Sequence, residues 1–178
     1  VVCDPTLLFD AKGWEQMIPK RKIIEEPYVF CYFLGTNEEH RKAANEFKKT
    51  GLKLVTCPFL DNFVEKDQQF GDIQMFDMDA ADFVNIIRHA EYILTDSFHG
   101  SVFSILHHKK FMTFNRFTAG VNSRNSRIDS LCTLLGLSER RFNGNVTDVE
   151  KDIDYLAVEE KLSKLRADSI QYLEAALK

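Results

Sequence analysis

The sequence lacks the phosphate-binding signatures most often found in nucleotide-binding α/β proteins. No GxGxxG motif follows a strand-like run, and there is no Walker A lysine, so an NAD-binding or P-loop assignment has no support. The composition, 44% hydrophobic and 28% charged, is that of an ordinary soluble globular protein. Nothing in it requires an integral membrane segment.

Basic charge is also scarce. The 23 Lys and Arg residues are outnumbered by 27 Asp and Glu residues, which gives a net charge of -4. Without a global basic field, nucleic acid and anionic membranes are not expected as main partners. An anionic ligand would have to be captured locally.

The cysteines are few and scattered. None of the four forms a CxxC pair or has a nearby His at zinc-ligand spacing, so we expect no metal site. Cys31 and Cys57 lie in strand-like runs, where they are interpreted as small buried side chains in a reducing compartment. A cytoplasmic location follows as an expectation.

The first residues contain neither an initiator Met nor the pattern of a secretory signal. We therefore expect that the chain begins inside a longer protein. The segment 1–27, which is charged and marked by prolines, is interpreted as a connector from a missing N-terminal domain. The 178 residues suit one well-cored domain better than two.

Strand-like and helical patterns alternate over residues 28–154. The run Tyr28–Leu34 is apolar throughout and stops at Gly35, as expected of a central parallel strand. The alternation predicts a Rossmann-like, doubly wound parallel sheet. A last helix, over 155–178, should pack back on the domain through Leu156, Leu162, Leu165, Ile170, Leu173 and Leu177. The other predicted elements are helices over Glu38–Lys49, from Asp79 to His89, over Val102–His108 and over Ser126–Leu135, with strands over Leu52–Cys57, 73–76, Tyr92–Thr95 and Phe111–Phe114.

The segment after Tyr92–Thr95 is the first candidate site. In open parallel sheets, ligands bind beyond the carboxyl ends of the strands, near backbone amides and helix N-termini. Ser97 and Ser101 offer hydroxyls, Gly100 allows close backbone approach, and His99 can donate a proton. Asp96 repels phosphate, so it would cap the helix or accept a bond from a sugar hydroxyl. The competing interpretation makes Asp96 and Ser97 caps and His99 a structural histidine.

A second cluster follows the next strand on the same edge of the sheet. Arg116, Arg124 and Arg127 could bind phosphate or carboxylate, with Ser126 capping the helix that begins there. Arg127 is the favoured ligand residue because it lies in the first helical turn. Arginines on a solvated loop are common, and at least one of the three is expected to bind nothing.

The segment AEYILTDSFHGSVFSI, from Ala90 to Ile105, closely resembles the polysaccharide pyruvyl transferase family. The segments DPTLLFD, YVFCYFLG, AADFVNIIRHAEY, KKFMTFNR and NSRIDSLCTLLGL also resemble family features, and they occur in the family's order. In many relatives the motif reads Arg-Leu-His. Here His99 matches the histidine, whereas Ser97 and Phe98 stand in place of the arginine and leucine, and Leu34-Gly35 lacks an arginine that some relatives carry.

The resemblance implies the C-terminal half of a bacterial two-domain GT-B type enzyme, whose final helix could also pack on the partner half. It implies transfer of pyruvate from phosphoenolpyruvate to a sugar hydroxyl in cell-surface polysaccharide synthesis, without a metal or organic cofactor. The enzyme would be cytoplasmic, either free or peripheral to the inner membrane. His99 would be the catalytic acid or a donor to the phosphate, and the saccharide acceptor and the missing N-terminal domain would be its partners.

Two alternatives remain open from the sequence. One is a GT-B type glycosyltransferase that binds the phosphates of a nucleotide sugar at Ser97–Ser101. The other is a non-catalytic carbohydrate-binding domain, which the absent motif arginine favours.

Overall fold

The computed structural model describes residues 2–58, 63–117 and 125–178. In these ranges five parallel strands form one sheet, in the order β3-β2-β1-β4-β5. The strands are β1 (Tyr28–Tyr32), β2 (Lys53–Thr56), β3 (Ile73–Gln74), β4 (Tyr92–Thr95) and β5 (Lys110–Thr113), and the helices are α1 (Ala11–Met17), α2 (Glu38–Asn45), α3 (Ala80–His89), α4 (Phe98–Leu106), α5 (Ser126–Leu135) and α6 (Tyr155–Ala176).

Both faces of the sheet are covered, which confirms the doubly wound fold. Alternate residues of β1 point to opposite sides, so Tyr28 and Phe30 enter one core while Val29 and Cys31 enter the other. The first core packs against α3, α4, α5 and α6, and the second against α2 and the 3-10 turn Val146–Glu150. The continuous apolar run of β1 follows from its burial on both faces.

Three helix boundaries differ from the sequence-based expectation. The Glu38–Lys49 pattern is an α-helix only to Asn45 and continues as a 3-10 turn. Helix α4 begins at Phe98 rather than Val102, because the Ser97 Oγ accepts a hydrogen bond from the Gly100 amide and so caps the helix four residues earlier. In α5, Ser126 is the first helical residue and not the cap, and no side chain caps this N-terminus among the described residues.

Helix α6 packs with only part of the predicted face. Leu162 is fully buried as predicted, together with Val158 and Ser169, and Leu165 is half-buried, whereas Leu156 and Leu177 are almost fully exposed. All residues from 170 onward are exposed. The 22-residue helix is much longer than the 10-residue α5 that it contacts, so its last turns extend beyond the surface available to cover them.

The segment predicted to be a connector packs on the domain. Leu7 belongs to the first core, and its carbonyl oxygen accepts a 2.7 Å hydrogen bond from Arg166 Nε of α6. The Trp14 ring packs edge-on against Phe103 of α4, with 5.0 Å between centroids. These contacts fix the start of the chain beside α4 and α6. Over the residues described, no helix combines the length and apolar character needed to cross a bilayer.

Candidate functional site

The carboxyl ends of β1, β4 and β5 meet at one edge of the sheet. Tyr32 pairs with Thr95, and Thr95 pairs with Thr113, so the segments that follow these three strands lie side by side. They surround a cavity of about 160 Å³, called here the edge cavity. Its lining residues are Leu34, Asp96, Ser97, Phe98, His99, Arg116, Phe117, Asn125, Arg127 and Ile128.

Asp96 connects the ends of two strands. Its side chain is fully buried, and its two oxygens accept 2.8 Å hydrogen bonds from the backbone amides of Leu34 and Gly35. Arg116 Nε lies 3.5 Å from Asp96 Oδ1. Burial raises the pKa of the Asp96 carboxyl, and the two amide bonds and the nearby arginine oppose that rise. The expected capping role is wrong, because Ser97 caps α4 and the Asp96 carboxylate holds the loop after β1.

Gly100 and Ser101 face the interior, which corrects the expectation that they contact a ligand. The Ser101 hydroxyl is buried and donates a 3.0 Å hydrogen bond to the Ser97 carbonyl. A Cβ at Gly100 would lie 2.6 Å from Thr95 Oγ1. The absence of a side chain at Gly100 therefore allows α4 to approach β4, and neither residue lines the edge cavity. Ser97 does line it, but its Oγ is engaged in the cap.

His99 lies in the first turn of α4 and lines the edge cavity. Half of its side chain is exposed, and its Nε2 is 3.8 Å from Asp4 Oδ1. The competing interpretation made His99 a partly buried structural histidine. Instead, the imidazole is accessible and faces a carboxylate from a segment 95 residues away in sequence.

The arginines of the second cluster have different surroundings. Arg116 is only 25% exposed, and its Nη2 donates a 3.1 Å hydrogen bond to the Asp96 carbonyl. Arg127 is 54% exposed, and its guanidinium lies 4.0 Å from the centroid of the Phe98 ring in a cation–π contact. Arg124 lies outside the described residues. Arg127 is thus the more accessible cation of the two, and it stands on the same rim as His99.

Asn125 explains why the N-terminus of α5 has no described cap. Its side chain accepts a hydrogen bond from the Phe117 amide at 3.4 Å and donates one to the Phe117 carbonyl at 3.0 Å. Because Asn125 is engaged with Phe117, it makes no capping bond to the first amides of α5. The first residues of α5, at the positive end of the helix dipole, lie beside the edge cavity, because Asn125, Arg127 and Ile128 all line it.

Ser126 faces a second depression, called here the outer groove. It has a volume of about 390 Å³ and adjoins the edge cavity across Phe98 and Arg127, which line both. The exposed hydroxyls of Ser126 and Ser130 belong to this groove, not to the edge cavity. The lining residues of the outer groove are Val2, Cys3, Asp4, Phe98, Ser126, Arg127 and Ser130.

Asp4 is a site residue that the sequence analysis missed. Its Oδ1 accepts hydrogen bonds from the Thr6 amide at 3.1 Å and the Thr6 hydroxyl at 2.6 Å, and its Oδ2 lies 3.3 Å from Arg127 Nη2. Burial favours a higher pKa for the Asp4 carboxyl, but the bonds from Thr6 and the charges of His99 and Arg127 bring it below its ordinary value. The available signal was local: Asp followed by Pro and Thr is typical of a capped turn.

The site combines an accessible imidazole, two arginines and two helix N-termini, and this combination suits an anionic ligand. Within the described ranges, no group of three or more His, Cys, Asp or Glu side chains could hold a metal ion. An imidazole can transfer a proton and guanidinium groups can stabilise negative charge, and the edge cavity presents both kinds of side chain.

Two solved structures show a similar arrangement of the chain at low sequence identity. One is UDP-GlcNAc 2-epimerase from Methanocaldococcus jannaschii, at 13% identity and a TM-score of 0.46. The match covers 88% of this chain and 42% of that protein. The other is a putative UDP-N-acetylglucosamine 2-epimerase from Listeria monocytogenes, at 15% identity and a TM-score of 0.47, with 92% of this chain covering 42% of that protein. The chain thus spans about two fifths of the length of these neighbours.

A comparison with curated proteins gives no match. A family model does match: the model of the polysaccharide pyruvyl transferases covers residues 1–116. That range includes Asp4, the segment from Asp96 to Gly100, and Arg116, and it ends before Arg127. Since the match extends over well over half of the sequence, the chain belongs to the polysaccharide pyruvyl transferase family, a family of transferases.

Proposed function

We propose that this protein transfers pyruvate from phosphoenolpyruvate to hydroxyl groups of a saccharide, in the cytoplasm, as a step of cell-surface polysaccharide synthesis. The observation that carries the proposal is the convergence of His99 and Arg127 on one cavity beside two helix N-termini. Membership of the family gives the reaction class, and the geometry supports a donor that is small and anionic.

The edge cavity offers a place for the donor. Phosphoenolpyruvate is trianionic, so its binding requires cations and N–H donors. Arg127 approaches from α5 with more than half of its side chain exposed, and the N-terminus of α5 lies beside the edge cavity, where its dipole favours an anion. In this arrangement Arg127 takes the place of the motif arginine that Ser97 replaces, while Arg116 orders the rim through Asp96.

The chemistry needs one acid at the methylene carbon of the donor. His99 donates a proton to C3, and C2 develops positive charge. An acceptor hydroxyl oxygen then bonds to C2, which gives a tetrahedral intermediate that still carries the phosphate. The bond from C2 to the phosphate oxygen breaks next and releases inorganic phosphate, and a second hydroxyl oxygen bonds to C2 and closes a cyclic ketal. Of the two hydroxyl protons released, one restores His99 and the other leaves with phosphate or solvent.

The outer groove offers a place for the acceptor. It shares the Phe98 and Arg127 wall with the edge cavity, so a saccharide in the groove would present its hydroxyls to the donor. The Ser126 and Ser130 hydroxyls can hydrogen-bond to sugar hydroxyls. In Ser126→Ala/Ser130→Ala, the KM for the acceptor should rise while the KM for phosphoenolpyruvate stays unchanged.

The first experiment is a comparison of ligands on the intact protein. Phosphoenolpyruvate should raise the melting temperature, and UDP-GlcNAc should not. Transfer is then measured as release of inorganic phosphate and incorporation of labelled pyruvate into saccharide. His99→Ala should lower turnover by a factor of roughly 10² to 10⁴, which is the usual contribution of a general acid.

His108→Ala is the matched control for His99→Ala. His108 follows the same helix, is also 50% exposed, and also faces a carboxylate, with its Nε2 3.0 Å from Glu159 Oε1. Its replacement should leave turnover unchanged. Protection by UDP-GlcNAc and not by phosphoenolpyruvate would instead support a glycosyltransferase, and saccharide binding without any turnover would support a non-catalytic domain.

A further inference from the structure

The carboxylate of Asp4 lies within 4 Å of both accessible side chains of the site, the His99 imidazole and the Arg127 guanidinium. Its Oδ1 lies 3.8 Å from His99 Nε2, and its Oδ2 lies 3.3 Å from Arg127 Nη2. These partners are 95 and 123 residues away in sequence, on the first turns of α4 and α5. Asp4 is the nearest acidic partner of each of them among the described residues.

We propose that Asp4 is a positioning residue that holds the His99 imidazole and the Arg127 guanidinium on one rim of the edge cavity. The proposal rests on the proposed function, and it assigns to the start of the chain a part in the transfer reaction. Asp4 itself lines the outer groove and not the edge cavity, so it acts through His99 and Arg127.

The position of the Asp4 carboxylate is itself fixed. The Thr6 amide and hydroxyl both bond to Oδ1, and only 17% of the side chain is exposed. The turn that follows is anchored because Leu7 is buried in the core and bonded to Arg166. A rigid carboxylate can orient two longer and more exposed side chains, whereas a mobile one could not. Hydrogen bonds from Thr6 also lower the pKa of this carboxyl, so the group is ionised at neutral pH.

Helix or turn capping alone does not explain these contacts. Asp10, Asp79 and Asp154 also cap their helices with a side-chain oxygen, yet none of these three has an ionic partner in the described part of the chain. At Asp4, the capping bonds use Oδ1 and leave Oδ2 to Arg127. The two roles can therefore be separated by a substitution that keeps the cap and removes the charge.

Asp4→Asn is that substitution, because Asn and Asp are equally good caps. In the intact protein, Asp4→Asn should keep the wild-type melting temperature and lower kcat about tenfold to a hundredfold, the size expected when a reacting group is misplaced by about 1 Å. The KM for phosphoenolpyruvate should stay the same or fall, since the carboxylate that competes with the donor for Arg127 is gone. Asp10→Asn, which changes an exposed cap in the same segment, should leave both parameters unchanged.

A wild-type kcat in Asp4→Asn would overturn the proposal, and so would an equal loss of kcat in Asp10→Asn. If Asp4→Asn is less stable, the ring nitrogen and proton shifts of His99, measured by NMR on the folded protein, replace kcat as the test. Unchanged His99 shifts would also overturn it. Absence of transfer by the wild-type protein would count against the proposed function, whereas transfer that is insensitive to Asp4→Asn counts only against the role of Asp4.

Discussion

The buried Asp96 carboxylate should contribute more to stability than any capping aspartate of the chain. It accepts hydrogen bonds from the Leu34 and Gly35 amides and interacts with Arg116. In Asp96→Asn, one oxygen becomes an NH₂ group, which is a donor facing another donor. At least one backbone amide then loses its acceptor in a buried place, and Arg116 loses its counter-charge.

The magnitude follows from these contacts. A hydrogen bond to a charged group contributes about 1.5–3 kcal/mol, and a buried donor left without an acceptor costs about 1–3 kcal/mol. Relief of the desolvation cost of the buried charge offsets part of this loss. We expect a net loss of about 3 kcal/mol in the free energy of unfolding, which corresponds to a melting temperature lower by about 6–12 °C for a domain of this size.

Urea denaturation and calorimetry of the intact protein measure both quantities. Asp79→Asn is the control, because Asp79 is an exposed cap of α3 and Asn preserves the capping bond. Its free energy of unfolding should change by less than about 0.5 kcal/mol. If Asp96→Asn were as stable as Asp79→Asn, the interpretation of Asp96 as the link between the strand ends would be refuted.

Two further predictions concern packing and pH. Gly100→Ala should lower the free energy of unfolding by about 1–3 kcal/mol, as overpacking does, because the new Cβ would meet Thr95 Oγ1 at 2.6 Å; urea denaturation measures the loss. Burial, assisted by neighbouring cations, lowers the pKa of His40 and of His107 to about 4 from 6.5. Between pH 4 and pH 6.5 the unfolded chain therefore binds more protons than the folded chain. The contribution of the neutral histidines to the free energy of unfolding is fully present above pH 6.5 and is lost as the pH falls towards 4, by up to about 3 kcal/mol for each histidine. Denaturation midpoints at pH 7 and pH 4.5 should show this loss, and His107→Gln should reduce it.

The sheet was predictable because its signals are local. The run that becomes β1 is apolar on both faces and ends at a glycine, and β4 leads directly into the Ser97 cap. Such patterns depend on neighbours within a few residues. The face of α6 was predicted only in part, because its burial depends on the extent of the surface beneath the helix. Leu162 is buried as predicted, whereas Leu173 and Leu177 continue the apolar spacing into the last turns of the helix and remain exposed.

The site was predictable only in part, for the same reason. A strand followed by a helix indicates where His99 lies, and a helix start indicates Arg127, so both side chains could be placed at one edge of the sheet from sequence alone. The carboxylate that they share could not be placed from the sequence, because no local pattern connects Asp4 with His99 and Arg127, which are 95 and 123 positions away. The segment interpreted as a connector supplies this charged group beside His99 and Arg127.

The replacement of the motif arginine by Ser97 has a physical explanation in this fold. Ser97 accepts a hydrogen bond from the Gly100 amide and is only 4% exposed. Arginine has no acceptor, so at this position it would leave that amide without its cap. A cation that reaches the edge cavity from α5 leaves the Ser97 cap intact. Arg127 is such a cation, because it lies on α5, over the Phe98 ring, and lines the edge cavity. If Arg127 binds the donor, as we propose, a fixed carboxylate that holds it beside His99 is more important here than in a site whose arginine lies in the motif itself.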